Sequence, residues 1–352
     1  MDLTLLLAVS TFCNPMSVPD MPVGIECRDY PNGSALPESP EWRKAMWKAD
    51  RTIQFRELAD PTVLVEGDTW YLYPSCGLMW TSEDCGGSWK HVPIRTAASY
   101  APGVVKFRGR YYMAMSHGSL SVADSPTGPF RELGKFDARS FGDDPQMPTP
   151  AGDPTFLAEG DRLYLYWGVC NRPKSIWGAE LDPDNLLRAK APARCLLEYD
   201  PKTYPWQDTN EGAWVFKRGG TYYLVYCGYG TSDPRYCGVA MKSDSPLGPF
   251  VHQRNNPFFS TPKGLVTGTG HGSVFEDAQG DLWATYCVVV CRYHHFERLI
   301  GLDRIRLDAN GDFAVGRATD TPQFTDGSGL VPWYAMPFSS EGRPEATDGR
   351  IS

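Results

Sequence analysis

Asp60-Pro-Thr-Val-Leu-Val-Glu-Gly-Asp-Thr-Trp-Tyr-Leu-Tyr73 and Asp153-Pro-Thr-Phe-Leu-Ala-Glu-Gly-Asp-Arg-Leu-Tyr-Leu-Tyr166 are one phrase written twice. It opens on a polar or small residue, runs through an apolar strand, turns at a glycine and returns as an aromatic-rich strand. Looser copies start at Ala101 (Ala-Pro-Gly-Val-Val-Lys-Phe-Arg-Gly-Arg-Tyr-Tyr), Glu211 (Glu-Gly-Ala-Trp-Val-Phe-Lys-Arg-Gly-Gly-Thr-Tyr-Tyr) and His271 (His-Gly-Ser-Val-Phe-Glu-Asp-Ala-Gln-Gly-Asp-Leu-Trp). The five starts are spaced 41, 52, 58 and 60 residues apart. A strand–turn–strand unit returning at that period is the sequence signature of a β-propeller blade. The fold class expected is therefore all-β, a five-bladed β-propeller.

Outward from the phrases, a third strand follows in several blades: Leu78-Met-Trp-Thr-Ser, Leu120-Ser-Val-Ala-Asp and Gly238-Val-Ala-Met-Lys. Two of these lead into nearly identical turns, Asp124-Ser-Pro-Thr-Gly-Pro-Phe130 and Asp244-Ser-Pro-Leu-Gly-Pro-Phe250, whose Pro and Gly supply turn geometry. Residues 58–318 form the expected propeller. Residues 1–57 precede it as an extension, with a helix expected after Ser39-Pro40-Glu41, where Pro stands at a first helical turn. Residues 319–352, rich in Pro, Gly and Ser, are expected to close the ring or cross its surface.

Composition narrows the partners. With 34 basic and 42 acidic side chains and no Lys/Arg run, the chain lacks the basic footprint of a nucleic-acid binder. No stretch approaches the ~20 apolar residues of a membrane-spanning helix. The acidic start Met1-Asp2-Leu3 and the short apolar run after it do not read as a secretion signal, so a cytoplasmic location is expected. The ten cysteines include no Cys-x-x-Cys pair and read mostly as reduced, small apolar residues.

In a propeller, residues at matching positions of the innermost strands face one another at a channel mouth. Asp60, Asp153 and Glu211 read as sharing one such position, where a blade needing merely a turn has no use for a carboxylate. Carboxylates crowded into one pocket shift each other's pKa, which leaves one protonated and another ionised. That division of labour is what glycoside hydrolysis uses.

Taken together, Ala59-Asp60-Pro61, Ala101-Pro102, Gly152-Asp153-Pro154-Thr155, Glu211-Gly212 with Tyr222-Tyr223-Leu224, and Gly268-Thr269-Gly270-His271-Gly272-Ser273 resemble glycoside hydrolase family 43. This family of five-bladed propellers includes α-L-arabinofuranosidases, β-xylosidases and arabinanases. The resemblance covers about residues 55–315. It implies Asp60 as the general base that activates water, Glu211 as the general acid, and Asp153 as the carboxylate that raises the pKa of the acid. It also implies inversion of configuration, with base and acid about 6.5–9.5 Å apart. No cofactor is required in that family, although some members hold calcium near the histidine that His271 matches; a lone imidazole is a poor ligand for an ion that prefers oxygen.

Sugar contacts are expected from Trp80, His117, Trp167 and Trp214, with Arg298 ahead of Arg304 as the arginine facing the pocket. Tyr100 stands where many relatives carry Trp, and Pro74-Ser-Cys-Gly-Leu-Met79 lacks the large aromatic that several relatives place against the sugar. The activity expected is exo-acting release of terminal α-L-arabinofuranosyl units from oligosaccharides or plant and algal polysaccharide fragments. The alternatives are a β-xylosidase, a galactofuranosidase, a hydrolase of neoagaro-oligosaccharides, or a non-catalytic carbohydrate-binding propeller. A lectin needs no carboxylate triad. The retaining sucrose and fructan hydrolases carry an Asn-Asp-Pro-Asn type of motif, where this chain has Leu58-Ala59-Asp60-Pro61.

Overall fold

The computed structural model describes residues 10–19, residues 58–325 apart from 95, 97, 98, 117, 151, 169–174, 232 and 290–297, and the pairs 346–347 and 350–351. The helix expected within residues 38–55 lies outside the described residues.

Strand β1 (Thr11–Phe12) comes first. Blade one holds β2 (Thr62–Glu66), β3 (Thr69–Tyr73), β4 (Trp80–Ser82) and β5 (Lys90–His91) in antiparallel order. Blade two is β6 (Gly103–Phe107), β7 (Arg110–Ala114), β8 (Leu120–Ala123) and β9 (Arg131–Gly134). Blade three is β10 (Thr155–Glu159), β11 (Arg162–Trp167), β12 (Ile176–Asp182), β13 (Asn185–Ala189) and β14 (Arg194–Leu197), the last two both pairing with β12. Blade four is β15 (Glu211–Arg218), β16 (Thr221–Gly228), β17 (Cys237–Ser243) and β18 (Val251–His252). Blade five is β19 (Val274–Glu276), β20 (Leu282–Val289) and β21 (Arg298–Ile305). Strands β22 (Gln323–Phe324), β23 (Ala346–Thr347) and β24 (Arg350–Ile351) follow.

Hairpin turns set the register of each inner pair. Glu66 pairs with Thr69, Phe107 with Arg110, Glu159 with Arg162, and Arg218 with Thr221. The two-residue turns between them begin on left-handed Gly67, Arg108, Gly160 and Gly219. A strand crossing the middle of a blade meets a neighbouring blade on either face, so it is apolar at nearly every residue rather than at alternate ones. Strands β16 and β20 are buried along almost their whole length.

Each blade interface has its own core cluster, and a small sixth cluster holds Ala59, Cys227, Tyr236 and Cys287. Val104 and Met113 meet Tyr73 and Met79 between blades one and two. Tyr112 and Val122 meet Phe156 and Leu165 between two and three. Tyr166 and Ile176 meet Val215 and Leu224 between three and four, and Val225 meets Val274 and Ala284 between four and five. The ring closes where Trp70 of blade one packs edge-on against Phe275 and Trp283 of blade five, with centroids at 4.9 and 5.2 Å. Edge-on aromatic pairs contribute about 0.5–1.5 kcal/mol each beyond their buried area.

The chain's N-terminal end reinforces that closure. Phe12 and Met16 enter the interface of blades five and one, and β1 pairs with β22. Asn14 imitates a strand, its amide donating to the Leu302 carbonyl at 2.9 Å and its oxygen accepting the Leu302 N–H at 2.9 Å.

Candidate active site

The backbone enters the five blades through residues of left-handed conformation: Asp60 (φ 50°), Ala101 (50°), Asp153 (46°), Gly212 (61°) and His271 (46°). A positive φ is uncommon for a residue with a Cβ. In blades one to four this residue lies seven positions before the left-handed turn residue: 60 before 67, 101 before 108, 153 before 160, 212 before 219. The expectation that Glu211 shares the position of Asp60 and Asp153 is therefore corrected by one residue. Gly212 takes the left-handed place, where a Cβ would stand 2.7 Å from the His271 ring and 3.0 Å from Cys227 Sγ. Glu211 lies one residue earlier, laddered opposite Cys227.

Asp60 is buried and held on both oxygens. Ser75 Oγ donates to Oδ2 at 2.8 Å. Oδ1 faces Arg298 Nη1 at 3.1 Å, His271 Nδ1 at 3.2 Å and Cys287 Sγ at 3.4 Å. Burial pushes the Asp60 carboxyl up, but Arg298, His271 and the Ser75 and Cys287 hydrogen bonds outweigh it, and the group sits below its ordinary value. Arg298 is itself buried, and its Nη1 also meets Thr231 Oγ1 at 3.2 Å.

Glu211 has the opposite bias. Burial first, and the Asp153 charge second, push its carboxyl up to about 7, against the pull of His271 and of the Tyr236 hydroxyl. That hydroxyl donates to Oε1 at 2.7 Å. Asp153 Oδ1 accepts from Ser116 Oγ at 2.5 Å, while the same Oγ accepts the Asp153 N–H at 2.8 Å. The mouth thus holds an acceptor ready to take a proton and a donor ready to give one near neutrality.

The aromatic residues expected to contact sugar are placed otherwise. Trp80 and Trp167 are fully buried, their indole nitrogens donating to the carbonyls of Pro19 (2.8 Å) and Pro148 (3.0 Å). Each sits in an interblade core, because the strand that carries it is covered on both faces. Trp214 is half-buried, and its Nε1 donates to the Val274 carbonyl at 2.7 Å, tying blade four to blade five. His117 lies outside the described residues. Arg304 turns away to Asp281 and the Thr325 carbonyl.

A calcium ion beside His271 would have to draw on the side chains around it. The imidazole offers nitrogen, and the carboxylates near it are those of Asp60 and Glu211, whereas calcium takes six to eight oxygens. Among the described residues no group of three or more His, Cys, Asp or Glu side chains is placed to hold a metal ion. None of their helices is long and apolar enough to cross a membrane.

Several residues of the site escaped the sequence reading. Ser75, Ser116 and Cys227 each stand fifteen residues after the left-handed residue of their blade, and Cys287 sixteen after His271 because the turn of blade five is longer. That constant spacing was available in the sequence. Tyr236 had no such signal.

The sequence profile of glycosyl hydrolases family 43 matches residues 50–313. A β-D-galactofuranosidase of Aspergillus niger is 35% identical over 97 residues, covering 26% of this chain and 25% of that protein. A xylosidase/arabinosidase of Thermoclostridium stercorarium is 31% identical over 144 residues, covering 36% of this chain and 30% of the relative. The chain therefore spans less than a third of the length of either curated relative. The crystal structure of a thermostable family-43 glycoside hydrolase superposes with a TM-score of 0.63 at 22% identity, over 76% of this chain and 95% of that one, a likeness of fold.

Proposed function

The chain belongs to glycosyl hydrolases family 43, and from that premise we propose that it cleaves glycosidic bonds with inversion, releasing terminal α-L-arabinofuranosyl units from oligosaccharides. The observation that carries the reading is the opposed bias of two buried carboxyls at one mouth, Asp60 below its ordinary value and Glu211 raised to about 7. In this reading Asp60 takes a proton from water as the oxygen attacks the anomeric carbon, while Glu211 gives its proton to the departing glycosidic oxygen. Ser75, Arg298 and His271 hold the Asp60 carboxylate. Burial, and then the Asp153 charge, keep Glu211 protonated. After departure, the Tyr236 hydroxyl donates to the carboxylate that remains. The substrates are fragments of plant or algal polysaccharides, and the name of the Thermoclostridium relative supports a pentose glycone.

Aryl α-L-arabinofuranoside, β-D-xyloside and β-D-galactofuranoside, assayed with wild type beside Glu211→Ala, test the reading. Cleavage of the arabinofuranoside by wild type and not by the variant is expected. Cleavage of none of the three by wild type would overturn it, and cleavage of another alone would reassign the glycone.

Activity at alkaline pH falls as Glu211 loses its proton. Removing the Asp153 charge in Asp153→Asn lowers that pKa, so the alkaline limb of kcat/KM should move to lower pH. Tyr236→Phe removes a donor to the ionised form, and the same limb should move to higher pH. Two pH–rate profiles check both signs; shifts in one direction, or none, would contradict the assignment of the acid.

A further inference from the structure

We infer that Cys287 is a positioning residue for Asp60, its sulfur fixing both the backbone and the carboxylate of the base; this rests on the assignment of Asp60 above. A residue near the end of the second strand of a blade, or just past it, offers its γ atom to the left-handed residue of the next blade. Ser75 Oγ accepts the Ala101 N–H at 3.0 Å, and Ser116 Oγ that of Asp153 at 2.8 Å. Cys227 Sγ accepts the His271 N–H at 2.7 Å, and Cys287 Sγ that of Asp60 at 3.1 Å. Blade three breaks the pattern with Gly168, and there Thr155 Oγ1 donates to the Ala213 carbonyl at 2.5 Å instead. Four γ atoms thus pin four of the five entry residues around the mouth.

At Cys287 the bond has chemical consequences. Asp60 holds a left-handed φ that a side chain disfavours, so its N–H needs a fixed acceptor. The same sulfur lies 3.4 Å from Asp60 Oδ1 and 3.4 Å from the His271 carbonyl, and its single S–H serves one of these acceptors at a time. Burial, and then the Asp60 charge, keep the thiol protonated, so it supports the carboxylate without competing for the proton taken from water. The other titratable or charged groups facing this pair are Arg298, His271, Glu211, Tyr236 and Cys227. None of them accepts the Asp60 N–H.

Two matched pairs test the role: Cys287→Ser against Cys287→Ala, and Cys287→Thr against Cys287→Val. Within each pair the hydroxyl member keeps a γ acceptor, as serine does in blades one and two. In whichever pair folds, kcat of the hydroxyl member should exceed that of its partner by about ten- to hundredfold with KM little changed. The acid limb of kcat/KM, which reports Asp60, should lie at higher pH in Ala or Val, because a hydrogen bond favouring the ionised carboxylate is lost. Folded pairs with equal kcat and coincident acid limbs would overturn the positioning role. Asp60→Asn, assayed alongside, separates the two claims: if it stays active the base assignment itself fails, and if it is inactive while the pairs coincide, the role of Cys287 fails alone.

Discussion

Glu211→Gln is expected to lower kcat/KM by about 10²- to 10⁴-fold on glycosides whose leaving group is another sugar, the range a positioned general acid supplies. On aryl glycosides with acidic phenols the loss should be under about tenfold, because such a leaving group departs without a proton. The difference between the two classes is the diagnostic quantity. Gln keeps the size of Glu and can still accept from the Tyr236 hydroxyl, now 2.7 Å from Oε1, so packing changes little. The alkaline limb of the profile, which tracks the proton of Glu211, should vanish on the activated substrate. An equal loss on both classes would assign Glu211 to binding or structure. The bias is built by the fold: the carboxyl is buried, Asp153 stands near it, and it meets near pH 7 as an acid that still holds its proton.

Asp60→Asn and Asp60→Ala should each lower kcat by about 10³-fold or more on every glycoside, whatever its leaving group, because water needs activation in all of them. The two variants differ in stability. Asn keeps the shape of the side chain and removes its charge. Both leave the buried Arg298 without the Asp60 charge, but Asn keeps an amide oxygen to which Ser75 Oγ or Arg298 can donate, and Ala keeps none. Buried donors left with no acceptor cost about 1–3 kcal/mol, so Asp60→Ala should melt below Asp60→Asn in a thermal unfolding scan. The backbone itself accepts Ala there, since Ala101 holds the same φ of 50° at the matching place in blade two. A near-wild-type rate for Asp60→Asn would remove Asp60 from the role of base.

Much of the fold is legible in the chain because both of its causes are local. Turn residues such as Gly67, Gly160 and Gly219 mark the hairpins, and runs such as Leu163–Trp167 betray a strand covered on both faces. Asp60 and Asp153 could be matched from the repeated phrase alone. Glu211 was found yet misaligned, because Glu211-Gly212 imitates Asp-Pro in spacing while the left-handed residue is the glycine. Counting back seven residues from Gly219 resolves it. The tryptophans misled for a different reason: at 0% exposure Trp80 and Trp167 serve the interblade core, and composition does not distinguish a ring that packs from one that stacks on sugar. Tyr236 and Thr231 lie in the loop between β16 and β17 and reach Glu211 and Arg298 through space, a relation no sequence spacing announces.

The division of roles between Asp60 and Glu211 is tested most directly by the configuration of the sugar first released. Proton NMR at early times, on the panel glycoside that wild type cleaves, should show the anomer opposite to that of the substrate before mutarotation mixes the two. First appearance of the substrate's own anomer would mean a glycosyl-enzyme intermediate, and would contradict a single displacement by water activated at Asp60.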